Sequence, residues 1–393
     1  MVLNVSSTHF ADIETLVTNH GEPIHNAAVI IENGEVIWFG SATTAPSGAE
    51  RRIDCSGKTV IPGFVDSHAH LAFAGDRSAE FAARMSGLPY AAGGIRTTVA
   101  ATRDASDEQL RALIARRVNE LHRSGVTTFE TKSGYGLAHE PEMRLLRLSR
   151  EVTEEVTFLG AHVAPDGIKR DEYLAEVKGS MLEASKQWAR WVDVFCDEGA
   201  FTVDEAEEVL SSGIAAGLGA RIHAAQLAPS RAIQMAVELG AASVDHCNHL
   251  LDADIDALSN SPTVATLLPA ADFSTRSPYA PARRLVDAGA TVALATNCNP
   301  GTSFTTNPAF GIAIAVREMG LTADEAVWSA TAGGAAALGR SDIGHLDVGA
   351  RADLVVLDAP NHLHLAYRPG VDLVDAVYKD GTLIHERSMS WSR

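Results

Sequence analysis

Two histidines, His68 and His70, stand two residues apart at the end of the run Val60-Ile61-Pro62-Gly63-Phe64-Val65-Asp66-Ser67-His68-Ala69-His70. The run before them is short, apolar and β-branched, the pattern of a buried strand. In an extended chain residues i and i+2 point to the same side, so both imidazoles can face one metal ion. Neutral imidazole is a common metal ligand. Two partly exposed loop histidines are the other reading of the same pair.

The elements that must carry this pair alternate along the chain. Strand patterns fall near residues 60–66, 126–131, 156–161, 191–197, 220–223, 242–246, 263–268 and 291–296. Helical patterns lie between them, as at Asp107–Leu121 and Val203–Leu210, the second opening with Thr202 and Glu205 in capping-box spacing. Eight strands alternating with helices predict a (β/α)8 barrel of the TIM type over 61–344. Residues 1–60 and 345–393 read instead as strands and turns. Ala27–Ile31 and Val36–Gly40 flank Asn33-Gly34, a strong hairpin signal. The two ends are expected to form one small composite β-rich domain.

A barrel carries its chemistry at the C-terminal ends of its strands. Those ends hold His68 and His70, Glu130 with Lys132, His162, Asp197, His223, His246 and Asn297. Buried polar groups are costly without partners, so packing is a poor explanation for the whole set.

Bulk properties narrow the partners. At 393 residues the chain is long enough for a large barrel or two domains, and 46% hydrophobic with 21% charged residues is ordinary for a globular enzyme. A formal net charge of −18 argues against nucleic acid or an anionic membrane surface. No apolar run reaches the ~18 residues of a membrane span, and the first residues show no secretory signal pattern. Cys55, Cys196, Cys247 and Cys298 are widely spaced with no CxxC, which suits a reducing cytoplasm.

The phrase Gly57–His70, together with Gly349-Ala350-Arg351-Ala352-Asp353-Leu354-Val355, resembles the amidohydrolase superfamily. Within it the chain is similar to the imidazolonepropionases, hydrolases of histidine degradation. The motifs that carry this are Gly75–Phe81, Lys132–Leu137, Phe158–His162, Ala265–Pro269 and Asn299–Thr302, and the likeness runs from about residue 20 to 380. The resemblance implies one divalent ion, Zn or Fe, held by His68, His70, His223 and the strand-eight position, Asn297. It implies that His246 contacts the reacting group or shuttles protons. A carboxylate-bearing small molecule would be met by Arg77, whose guanidinium suits a planar bidentate contact. Tyr135, His162, Gln226, Asn299, Gly301 and Thr302 match positions that bind substrate or product, with Tyr90 a weaker match. The implied reaction opens 4-imidazolone-5-propanoate to N-formimino-L-glutamate, with a homodimer as a possible assembly.

Asn297 departs from the pattern. The family reads Ala-Thr-Asp where this chain has Ala295-Thr296-Asn297. Asparagine can offer its carbonyl oxygen to a metal, but it carries no negative charge and is no carboxylate base. With Asn297 and Gln226 both neutral, His246 becomes the leading proton acceptor, and its neighbour Asp245 is a candidate to orient it. Glu130 is a poorer candidate base, its pairing with Lys132 being open in the sequence. Two other functions stay open: another cyclic amidohydrolase or heteroaromatic deaminase, which would not need Arg77, and a catalytically weakened or silent barrel that only binds.

Overall fold

A computed structural model describes residues 7–87 and 94–387. Strands from the two ends of the chain share one eight-stranded sheet. Thr59–Pro62 lies parallel to Ser7–Leu16 on one side and antiparallel to Leu354–Leu357 on the other, which places the C-terminal strands beside the N-terminal ones. The predicted hairpin is present, Ile24–Glu32 pairing with Glu35–Ser41. Asn33 and Gly34 at its tip have φ of 52° and 82°, the left-handed values that a two-residue turn needs to match the twist of its strands. Phe10, Ile13, Leu16, Leu354, Val356 and Tyr378 fill the core of this sheet.

The rest is the barrel. Its strands are β1 (Phe64–Asp66), β2 (Val126–Phe129, resumed at Thr131–Lys132), β3 (Val156–Ala161), β4 (Trp191–Cys196), β5 (Gly219–Ala224), β6 (Ser243–His246), β7 (Val264–Leu267) and β8 (Val292–Leu294). Neighbours pair in parallel from β1 to β2 and onward to β8. Closure comes just beyond the ends of β8 and β1. The Asn297 N–H donates to the His68 carbonyl at 2.9 Å, and the His70 N–H donates to the Cys298 carbonyl at 2.9 Å. Asp66 reinforces the seam by accepting from the Thr296 N–H and hydroxyl at 2.9 and 2.6 Å. The histidine pair and Asn297 thus face each other because the barrel is sewn shut through their backbones.

Two expected strands divide. The run at 60–66 is two strands in different sheets, Thr59–Pro62 in the small domain and Phe64–Asp66 in the barrel. Gly63 makes the crossing, where a Cβ would sit 2.3 Å from the Thr127 hydroxyl. The run at 126–131 is interrupted at Glu130, whose carboxylate turns inward. The helix Asp107–Arg123 packs against β2 and Val203–Ala215 against β4, the latter opened by the predicted Thr202–Glu205 capping box.

Candidate metal centre and substrate cleft

β1 ends at Asp66, but the chain stays extended through Ala69, which forms a parallel bridge to Cys298. His68 and His70 therefore lie on one side, with ring centroids 5.3 Å apart. Glu130, from the break in β2, holds the residue between them by accepting the Ala69 N–H at 3.1 Å. Its other oxygen takes Lys132 at 3.0 Å and the Thr157 hydroxyl, so this carboxylate is committed to structure.

Around the pair, β5 supplies His223 and β6 supplies His246. The His68 ring lies 4.5 Å from that of His223 and 5.9 Å from that of His246. Among the described residues, His68, His223 and His246 form an imidazole trio in which one ring nitrogen of each lies within 4.8 Å of the others. His70 stands beside this trio, 5.5 Å from His223 and stacked against His162 at 5.7 Å. All four are buried.

Carboxylates fix the ring orientations of two of them. His68 Nδ1 donates to Asp245 Oδ2 at 2.7 Å, and His223 Nδ1 donates to Asp193 at 3.1 Å. Each is then protonated on Nδ1, leaving the Nε2 lone pair for a ligand. Among the described residues the buried Nε2 of His68 has no hydrogen-bond partner. An orphaned imidazole nitrogen beside two more imidazoles fits a divalent cation. Asp245 was expected to orient His246; it serves His68 instead, because neighbouring strand residues face opposite ways and the β6 chain turns at His246, with φ of 86°.

Lys132 joins the supporting charges. Its ammonium lies 2.8 Å from Asp193, 3.0 Å from Glu130 and 3.8 Å from Asp245, all without solvent exposure. Burial works against the lysine charge, yet Asp193 and Glu130 keep its pKa above the ordinary lysine value. Burial also opposes the Asp193 charge, while His223 and Lys132 hold that carboxyl well below its usual range. Burial pushes His68, His70 and His246 well below the ordinary imidazole value, with surrounding cationic groups adding to it. These three imidazoles are thus neutral, the form that ligates metal or accepts a proton.

Asn297 sits at φ of 50°, in the left-handed region that asparagine enters more readily than most residues. Its side-chain oxygen accepts from Asn299 Nδ2 at 3.0 Å. Asn299 in turn accepts the N–H groups of Gly301 and Thr302 on its own oxygen, both at 2.8 Å. One hydrogen-bonded loop therefore runs from Asn297 to the cleft-lining backbone of Gly301 and Thr302.

A cleft opens over the histidines. Arg77, Tyr135, His162, Gln226, Asn299, Gly301 and Thr302 all line it, together with His70, His223, His246 and Asn297. Among the sequence candidates for the cleft, only Tyr90 lies outside the described residues. Arg77 is buried rather than at the surface, its Nε and Nη2 gripped by Glu80 at 2.8 and 2.7 Å. Its guanidinium packs on Gly301, where a Cβ would lie 2.3 Å from Nη1. Asp197 places the Gln226 loop by accepting the N–H groups of Gln226 and Leu227 at 2.7 and 3.0 Å.

Sequence reasoning missed Asp193, Glu80 and Glu142 and misplaced Asp245. For Asp193 the available signal was a charged residue inside the otherwise apolar strand Trp191-Val192-Asp193-Val194. Such a group needs a buried partner.

Residues 59–384 match the model of the amidohydrolase family. The chain is 60% identical to the imidazolonepropionase of Mycolicibacterium smegmatis over 363 residues, covering 92% of this chain and 91% of that protein. It is 58% identical to the imidazolonepropionase of Streptomyces griseus, covering 96% and 99%. Solved structures share the fold: a triazine hydrolase variant at TM-score 0.76 and 17% identity, covering 97% of this chain and 95% of that one. The guanine deaminase of C. acetobutylicum aligns at TM-score 0.73 and 14% identity, covering 97% and 100%. The chain belongs to the amidohydrolase family and, within it, to the imidazolonepropionases.

Proposed function

We propose that this chain hydrolyses 4-imidazolone-5-propanoate to N-formimino-L-glutamate. The observation that carries this reading is the pairing, in one cleft, of a buried imidazole cluster with a buried arginine. Relatives at 58–60% identity named imidazolonepropionase support the same substrate. The cluster suits the reacting ring amide and Arg77 suits the propanoate carboxylate.

His68, His70 and His223 would hold one divalent ion, Zn or Fe, with Asn297 offering its side-chain oxygen. When bound, the ion supplies Lewis acidity that activates water and polarises a carbonyl. Asp245 and Asp193 keep His68 and His223 in the tautomer that presents Nε2. In the reaction the oxygen of water bonds to the ring carbonyl carbon, the ring C–N bond breaks, and a proton passes to the departing nitrogen. His246 carries that proton: it is neutral and buried, lines the cleft, and its Nδ1 has no partner among the described residues. Arg77, set by Glu80 and Gly301, orients the carboxylate, while Tyr135, His162 and Gln226 face the ring.

Substrate comparison tests this reading against a deaminase or another cyclic amidohydrolase. Arg77→Met should raise KM for the propanoate substrate by about 10- to 100-fold, the worth of a charge-assisted hydrogen bond. A best activity on a carboxylate-free heterocycle, spared in that variant, would contradict it.

A further inference from the structure

We propose that Glu142 is the positioning residue for the substrate-facing loop Ser133–Leu137, and that it makes His162 a hydrogen-bond acceptor toward the substrate. The proposal rests on the ring-opening reading above. Glu142 lies on the helix His139–Arg150, fully buried. One of its oxygens accepts the N–H groups of Gly136 and Leu137 at 2.6 and 2.8 Å, and the other accepts the Gly134 N–H at 2.9 Å. The Ser133 hydroxyl also bonds the carboxylate. Four donors from five consecutive residues converge on one side chain, so the loop is wrapped around its charge.

The loop's shape leaves no slack. A Cβ on Gly136 would sit 2.4 Å from the Glu142 nitrogen, and Gly134 takes φ of 97°. That conformation aims the Gly134 carbonyl at His162 Nδ1, 2.9 Å away. A carbonyl only accepts, so Nδ1 carries the proton and Nε2 keeps the lone pair. The ring lines the cleft, so what it offers a ligand there is an acceptor, matched to a ring N–H. Tyr135, one residue on, is carried by the same loop into the cleft wall. Glu142 touches none of the cleft and acts through these two residues.

Glu142→Gln tests this, because backbone donors occupy both oxygens and either setting of the amide points an NH2 group at a backbone N–H. In the metal-replete variant, KM should rise at least about 10-fold while kcat stays within about 3-fold, the loss expected for one charged hydrogen-bond network. Metal per chain should equal wild type. Without substrate, hydrogen exchange of the amides at 134–137 should quicken by about 10-fold or more. If this variant does not accumulate folded, Glu142→Asp, which keeps the charge but withdraws it by one methylene, should show the same pattern in weaker form. Wild-type KM in a folded variant, or a raised KM with unchanged exchange, would overturn the proposal. If wild-type protein does not turn over the imidazolone, the ring-opening reading fails, and the exchange result still decides whether Glu142 positions the loop.

Discussion

His68 Nδ1 lies 2.7 Å from Asp245 Oδ2, and neither side chain has any solvent exposure. The contact joins the first barrel strand to the sixth across 177 positions of sequence. Its consequence is electronic as well as geometric: the imidazole proton is held on Nδ1, and Nε2 faces the cluster as a lone pair.

Asp245→Asn should weaken metal retention by about 10- to 100-fold, the usual cost of losing such a partner. An amide can meet Nδ1 as donor or acceptor, so the tautomer is no longer fixed. Metal content after graded chelator dialysis, with circular dichroism to confirm the fold, checks this. Unaltered retention would show that Asp245 does not tune the ligand.

Asn297→Asp should tighten the metal by about 10-fold or more, because it places an anionic oxygen opposite the histidine pair. The backbone need not change, since aspartate also tolerates the left-handed φ of 50° at this position. Competition against a chromogenic chelator measures the affinity directly.

Asp272, away from the histidine cluster, makes stability depend on pH. Burial pushes its carboxyl up to about 7, against donation from Asn248 at 2.7 Å. The folded state then holds a proton that the unfolded state releases at a lower pH. This contribution to stability is fully present below the unfolded pKa of 3.8 and is lost as pH rises through about 7. Asp272→Asn should therefore match wild type near pH 4 and exceed it by a few kcal/mol at most near pH 8. Melting temperatures of both proteins across that range test it; a constant gap would contradict it.

Much of the cleft was legible in the sequence because strand ends in a barrel converge whatever the loops do. Reading His68, His70, His223, His246 and Asn297 as strand-end residues was enough to bring them together. The Asn33-Gly34 turn and the Thr202 cap were legible because their chemistry is local. The passage of the chain between sheets at Gly63 was not, since an apolar run reports burial and not which sheet provides it. The partners of His68, His223 and the Tyr135 loop were hidden for a related reason. Asp245, Asp193 and Glu142 act through contacts that only closure of the barrel creates.

Metal-dependent ring opening in this cleft is open to a direct assay. The most direct measurement strips the protein with chelator, restores one equivalent of Zn or Fe per chain, and follows 4-imidazolone-5-propanoate and N-formimino-L-glutamate together. Turnover should be negligible in the stripped protein and return on restoring the metal, with one product formed per substrate consumed. A chain carrying stoichiometric metal that leaves the imidazolone unchanged would contradict it.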